Sequence, residues 1–328
     1  MTARSWLKPL VPLYRLGLAW RERRLASGSE PFERLQWPVI SIGNLSTGGA
    51  GKTPLTIALA KALIARDVHV DVLSRGYGRA GSRTEQVQKE GAAQQYGDEP
   101  LLIAREAEIP VYVARQRYEA GLLAESKSQP DGLAVHLLDD GFQHRQLHRD
   151  ADILLLNLRD WQDVLLPAGN LREELSAARR ASVIAIPADE VELEGELRRW
   201  VWHGPIWKLR RQMEVPRIEG EVVAFCGIAR PEQFFAGLEQ AGVKIAEKVV
   251  FRDHHRYTQS DWQRLDNALR RTQAPALLTT EKDLVRLGGL ADSLPVRAVG
   301  LKTEIEDEAA ALEWLIGWVR QAGPKASV

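Results

Sequence analysis

At 328 residues the chain is longer than one average core fills, and a prior of roughly 150 residues per domain points to two domains. Hydrophobic residues at 45% and charged residues at 27% are ordinary for a folded protein and argue against disorder. Lys plus Arg number 44 against 44 Asp plus Glu, which lacks the basic excess of a nucleic-acid binder, and a single cysteine, Cys226, excludes an internal disulfide and fits a reducing compartment.

The first 25 residues stand apart, because Arg4, Lys8, Arg15, Arg21, Arg23 and Arg24 face only Glu22, a local charge of +5 in a neutral chain. Trp6, Leu7, Leu10, Leu13, Leu16, Leu18 and Trp20 are interleaved with them. Leu10 to Trp20 is only 11 residues and contains Arg15, well short of the ~20 apolar residues a bilayer-spanning helix needs. No small-residue cleavage site follows, so a cleaved signal is not expected. Two readings remain: an amphipathic helix lying in a headgroup layer with its arginines on anionic lipid, or the same helix packed on the protein's own core.

From Trp37 onward, apolar strand-like runs alternate with helical stretches. The strands are VISIGN, VHVDVLS, VYVA, LAVHLLDD, DILLLN and SVIAIP, a pattern that predicts right-handed βαβ crossovers and a parallel sheet covered on both faces. Ligands in such sheets sit at the carboxyl ends of the strands. The first of these ends carries Ser46-Thr47-Gly48-Gly49-Ala50-Gly51-Lys52-Thr53, followed by the helix-period residues Leu55, Leu59 and Ala62. Strand, glycine turn and helix in that order build a phosphate cradle: glycines admit an anion to the backbone N–H groups, and the new helix adds its own unpaired donors. Lys52 supplies charge to the terminal phosphates of a nucleotide, and the Thr53 hydroxyl supplies a ligand to Mg²⁺. Ser46 stands where the strict pattern has Gly, and Thr47 where one P-loop subclass has a second lysine.

After Pro187 the sequence predicts a charged helix over 190–202, then a hinge hairpin at 206–218 made of PIWKLR and EVPRI. A second, smaller βα series follows over 219–328, with strand-like EVVAFCGIA, EKVVFRDHH, PALLTT and PVRAVGL and a closing helix over 307–321. It has no glycine-lysine loop of its own, which suits a lid or half of a cleft. The expected division is therefore a membrane-associated helix at 1–25, a P-loop core at 26–205, the hinge at 206–218 and the second α/β domain at 219–328.

An apolar strand ending in acid is the usual partner of a P-loop, and LAVHLLDDGFQH ends in two, Asp139 and Asp140. On a strand end their side chains point different ways, so either can take the metal while the other works elsewhere in the cleft.

With these motifs in hand, the chain resembles the tetraacyldisaccharide 4'-kinases of lipid A biosynthesis. Beyond the P-loop with Gly43-Asn44 and the Asp139–His144 block, the shared motifs are Ser74–Arg79 (SRGYGR), Gly97–Pro100 (GDEP), Leu166–Glu173 (LPAGNLRE), Phe225–Ala229 (FCGIA), Phe251–His254 (FRDH) and Thr280–Asp283 (TEKD). They span residues 43 to 283. The turn before Arg172 reads Gly-Asn-Leu where that family usually has Gly-Pro-Leu.

The resemblance implies an ATP- and Mg²⁺-dependent transfer of the γ-phosphoryl group to the 4'-hydroxyl of an acylated glucosamine disaccharide 1-phosphate. It also implies a monomer, held at the cytoplasmic face of a bacterial inner membrane by anionic lipids. It favours an Asp98 and His254 pair at the cleft, with either member as candidate base and His255 inseparable from His254 by spacing alone. It further suggests Asn44, Arg75, Tyr77, Gln143, His144 and Arg172 as acceptor-binding residues, and leaves Lys282 and Asp283 either bracketing the nucleotide or capping a helix. A rival reading from another class is a membrane-associated regulatory ATPase, which expects the extra lysine that Thr47 replaces. No Asn-Lys-x-Asp guanine reader is present, so adenine is the expected base.

Overall fold

The computed structural model describes residues 4–28, 32–49, 51–200 and 202–322, so Ala50 of the phosphate loop lies outside the described residues. In chain order the first lobe comprises α1 (Val11–Ala26), β1 (Val39–Asn44), α2 (Lys52–Ile64), β2 (His69–Ser74), β3 (Glu85–Gln86), α3 (Ala93–Tyr96), α4 (Asp98–Ala107), β4 (Val111–Val113), α5 (Arg117–Lys127), β5 (Ala134–Asp139), β6 (Ala151–Leu155), α6 (Leu158–Trp161), β7 (Val183–Pro187) and α7 (Val191–Arg199). Then come β8 (Ile206–Glu214), β9 (Val222–Cys226), α8 (Pro231–Gln240), β10 (Ile245–Val250), α9 (Gln259–Thr272), β11 (Leu277–Thr280), α10 (Glu281–Leu287), β12 (Val296–Ile305) and α11 (Glu308–Ala322).

The strands join in the order β10-β9-β11-β12-β8-β7-β6-β1-β5-β2-β4-β3. β1 lies between β5 and β6, parallel to both, and β1, β5 and β6 have no exposed position. Continuous β-branched and leucine runs are what a sheet covered on both faces requires, and the predicted α/β architecture holds.

The connection between the lobes corrects the predicted hairpin at 206–218. PIWKLR and the residues after it form one strand, β8, whose first part pairs parallel with β7 while Leu209 to Glu214 pair antiparallel with Ile305 to Gly300 of β12. The return strand thus comes from the far end of the second series, and β12 in turn pairs parallel with β11 through Val296 to Val299. A local hairpin needs a tight turn at its tip, and Arg211-Gln212-Met213 supplies neither Gly nor Asn for one.

The closing helix also shifts the predicted boundary. Leu312, Leu315 and Val319 of α11 pack with Ile40, Leu59 and Val183, so this helix belongs to the first lobe although its sequence follows the second. The second lobe has its own cores, one around Phe225, Trp262 and Leu265 and another around Phe234 and Leu238.

The N-terminal helix α1 carries apolar residues on two faces, which departs from the single apolar stripe expected of an amphipathic helix. Val11, Tyr14 and Leu18 pack on the cluster of Leu45, Phe142 and Trp202, and the Tyr14 hydroxyl donates to the Arg172 carbonyl at 3.0 Å. Leu13 at 69%, Leu16 at 67% and Trp20 at 61% exposed point away from that cluster. One face of the helix is thus packed on the protein's own core, and the other is left exposed. Among the described residues no helix is long and apolar enough to cross a membrane.

Candidate active site

The phosphate loop rises from the end of β1. Gly51 sits at φ +84°, and a Cβ there would come within 2.6 Å of the Arg211 guanidinium, so only glycine fits without a shift. Thr47 N–H donates to the Asn170 carbonyl at 2.8 Å, while Gly48, at φ +102°, faces Ala229 of the second lobe. Gly49 has open space around its Cα, and Ser46 is buried with its Oγ accepting from Asn44 Nδ2 at 3.0 Å. Lys52 Nζ donates to Asn44 Oδ1 at 3.1 Å and stands 3.5 Å from Asp140 Oδ1.

The two aspartates have separate partners. Asp140, at φ +53°, points toward Arg172, which reaches both its oxygens at 3.0 and 3.2 Å. Burial would raise the Asp140 carboxyl, but Lys52 and Arg172 outweigh it and hold the group well below the usual carboxylate range. Asp139 is buried at 2% exposure with Thr53 Oγ1 3.5 Å and Thr56 Oγ1 3.3 Å away. Burial and the nearby Glu99 push its pKa up to about 7. A buried carboxylate that has hydroxyl neighbours and no close guanidinium suits a hard divalent cation, so the donor set around Asp139, Thr53 and Thr56 fits Mg²⁺. Asp140, committed to Arg172, fits it less well.

Of the residues expected to bind the acceptor, Asn44 Oδ1 also accepts from Arg172 Nη2 at 2.7 Å, and Gln143 Nε2 donates to the Asn44 carbonyl at 2.9 Å. His144 lines a cavity of about 500 Å³ together with Trp20, Arg21, Leu25 and Arg145, between α1 and the turn after β5. Burial and then Arg117 and Arg149 pull its pKa down to about 3, so it is a neutral imidazole at pH 7. Arg75 and Tyr77 are exposed beyond β2, and Tyr77 stacks edge-on against His254 with ring centroids 5.5 Å apart.

Asp98 and His254, 156 positions apart in sequence, meet across the lobe boundary with Nδ1 3.2 Å from Asp98 Oδ2. His254 has a left-handed backbone at φ +55°, an uncommon conformation for a non-glycine residue and one that recurs where function fixes the chain. The hydrogen bond to Asp98 raises the imidazole pKa. His255 separates cleanly from its neighbour. Its Nε2 lies 3.0 Å from Asp261 Oδ2 and its ring stacks on Phe251 at 4.8 Å, a structural role inside the second lobe.

Several residues of this site were not singled out by motif. Thr56 lies one turn after Lys52. Arg117 is buried and donates to the Asp140 carbonyl at 3.3 Å. Within the TEKD block, Lys282 pairs with Glu99 at 2.5 Å, while Thr280 caps α10, its hydroxyl accepting from the Asp283 N–H at 3.1 Å, so the block divides between bracing the site and capping a helix. Arg286 donates from Nε to Asp98 Oδ2 at 2.8 Å and again from Nη2. Its spacing of four from Lys282 on one helix was the available signal.

The family model for tetraacyldisaccharide-1-P 4'-kinase, LpxK, matches residues 3–320. A tetraacyldisaccharide 4'-kinase of Koribacter versatilis is 41% identical over 321 residues, covering 94% of this chain and 98% of that one. One from Aquifex aeolicus is 38% identical over 322 residues, covering 93% and 96%. The crystal structure of the "apo" form of LpxK from Aquifex aeolicus in complex with ATP aligns with a TM-score of 0.78 at 36% identity, over 96% of this chain and 99% of that one. Together with a phosphate loop whose Gly48 faces Ala229 of the second lobe, these matches establish that the chain belongs to the tetraacyldisaccharide 4'-kinase family.

Proposed function

We infer that the protein is an ATP-dependent kinase that transfers the γ-phosphoryl group to the 4'-hydroxyl of a tetraacylated glucosamine disaccharide 1-phosphate. The observation that carries this reading is the Asp98–His254 pair, in which an imidazole of the second lobe meets a carboxylate of the first at 3.2 Å. The regulatory ATPase reading has no use for that pair, and Thr47 stands where it needs a lysine.

The backbone donors of residues 48, 49 and 51–53 and the Lys52 ammonium hold the triphosphate, replacing the Lys52 contacts to Asn44 and Asp140 with phosphate oxygens. Asp139, Thr53 and Thr56 would hold Mg²⁺, which neutralises charge on the phosphates when bound. Asp98 is poorly suited to take the acceptor proton, since Oδ2 receives Arg286 and His254, and Oδ1 receives the Glu99 N–H at 3.1 Å. Burial opposes its ionisation, but His254 and Arg286 prevail and keep it a carboxylate far below pH 7. It therefore orients the imidazole: Nδ1–H points to Asp98, and Nε2 of the partly exposed ring, which meets Tyr77 edge-on, accepts the proton of the sugar hydroxyl. Arg172, fixed on Asp140 and Asn44, and the exposed Arg75 offer guanidinium groups to anionic parts of the acceptor.

Leu13, Leu16 and Trp20 on the outer face of α1, flanked by Arg15, Arg23 and Arg24, suit docking on an anionic membrane surface, the cytoplasmic face of the inner membrane. The acylated substrate resides in such a surface, and the His144 cavity opens beside the same helix. The test of the assignment is Lys52→Met: a fluorescent ATP analogue should bind at least roughly tenfold more weakly and product formation should be lost. Unchanged nucleotide affinity and turnover in that variant would remove the phosphate loop from the mechanism.

A further inference from the structure

Arg286 joins more of the catalytic centre than any role in stabilising α10 requires. Its Nε and Nη2 both donate to Asp98 Oδ2, and Nη2 lies 3.2 Å from His254 Nδ1. Nη1 donates to the Gly227 carbonyl at 2.6 Å and to Asp283 Oδ1 at 3.0 Å. Asp283 is itself fully buried and fixed by the Gly227 N–H at 3.0 Å, the Tyr257 hydroxyl at 3.0 Å and the Thr280 hydroxyl at 2.7 Å. The guanidinium thus has an anchored side in the second lobe and a working side on a carboxylate of the first. The segment Gly227 to Ala229 approaches the phosphate loop, and the His254 N–H donates to the Gly227 carbonyl at 3.2 Å.

We propose that Arg286 is a positioning residue for phosphoryl transfer, fixing the Asp98 carboxylate, and through it the His254 imidazole, in the orientation that takes the acceptor proton. A single carboxylate oxygen shared by a two-pronged guanidinium and an imidazole cannot rotate away without breaking three contacts. Lys282, one turn earlier on α10, holds the adjacent Glu99, so consecutive acids at the start of α4 are gripped by consecutive turns of one helix. The arrangement makes assembly of the base depend on the two lobes being joined.

Arg286 also acts on His254 through charge. The groups facing that imidazole are Asp98, Arg286, Asp253 and the Tyr77 ring, and of these Arg286 alone opposes its protonation. Removing the guanidinium therefore moves the acid limb of kcat, where the base must lose its proton, toward higher pH.

The proposal rests on the kinase reading, and the experiment separates the two. Phosphorylation of the detergent-dispersed disaccharide 1-phosphate by ATP is followed from pH 5.5 to 9 with wild-type, Arg286→Met and Arg286→Lys proteins, each checked by circular dichroism and thermal melting. Arg286→Met should lose roughly 100-fold or more in kcat with KM for ATP nearly unchanged, and its acid limb should move up by roughly half a unit to one unit. Arg286→Lys keeps the charge and loses the fork, so its limb should stay in place with kcat lowered roughly tenfold. A folded Arg286→Met with kcat within about threefold of wild type, or with an unmoved limb, overturns the proposal. Should Arg286→Met fail to fold, wild-type kcat in Arg286→Lys overturns it and the tenfold loss supports it. Absence of transfer by the wild-type protein would count against the kinase reading itself.

Discussion

Gly43 holds the phosphate-loop strand against the aspartate turn, and adding one methyl there tests how tightly the two are built together. A Cβ on Gly43 would lie 2.5 Å from Phe142 Cβ and 2.8 Å from Phe142 N, where ordinary contact begins near 3.4 Å. The turn at 139–142 must therefore retreat by nearly 1 Å. Phe142 is completely buried among Leu45, Leu154 and Ile184, so the displacement falls on its chain neighbours Asp139 and Asp140. Overpacking of this kind costs about 1–3 kcal/mol, and a misplacement of about 1 Å in a catalytic group costs about 100-fold in rate. Gly43→Ala should consequently lower the melting temperature by several degrees and cut kcat/KM about 100-fold, measured by differential scanning fluorimetry and by product formation. Gly81→Ala, whose Cβ would meet nothing within 4 Å, is the control and should match wild type in both. A Gly43→Ala enzyme with unchanged melting and unchanged kcat/KM would refute the close-packing argument.

Two further predictions concern parts of the molecule away from the chemistry. His136 is fully buried between Asp71 at 2.7 Å and Glu125 at 3.3 Å, with the Trp37 ring stacked on it. Burial lowers its pKa, but the two carboxylates prevail and raise it from 6.5 to about 9, which is worth roughly 3 kcal/mol. Because the folded value lies above the unfolded one, this stability is fully present below pH 6.5 and is lost as pH rises through about 9. Denaturant midpoints at pH 6 and pH 10 should show that fall in wild type and a smaller one in Asp71→Asn; a flat wild-type profile would contradict it. On the outer face of α1, Leu13→Ser with Leu16→Ser should weaken co-sedimentation with vesicles containing anionic lipid by roughly tenfold or more and leave ATP-analogue binding intact. Equal sedimentation of the variant would take the membrane role away from that face.

The parallel sheet, the phosphate loop and the acidic strand end were legible because each is written in contiguous residues with a period or a turn signal. The Asp98–His254 pair was legible only through family motifs, since nothing local relates GDEP to FRDH. Arg286 and Thr56 escaped because a single polar residue on a helix has no signature until the partner strand is placed. The predicted hairpin failed for a related reason: β8 reads as two short pieces, yet its partner β12 lies in distant sequence, and pairing rather than propensity decides a strand. α11 was assigned by chain order, whereas its leucines found the larger apolar surface in the first lobe. The two apolar faces of α1 gave mixed periodicity, which left both of its readings open until packing assigned one face to the protein's own core.

The account turns on His254 serving chemistry while the phosphate loop serves binding. Phosphorus-31 NMR of the acylated disaccharide 1-phosphate, incubated with ATP, magnesium and enzyme, reads the outcome directly as a second phosphomonoester resonance on the sugar. The wild-type protein should produce that resonance, and His254→Ala should bind the ATP analogue normally and produce none. A second resonance appearing at the wild-type rate with His254→Ala, or no second resonance with the wild-type protein, would contradict the account.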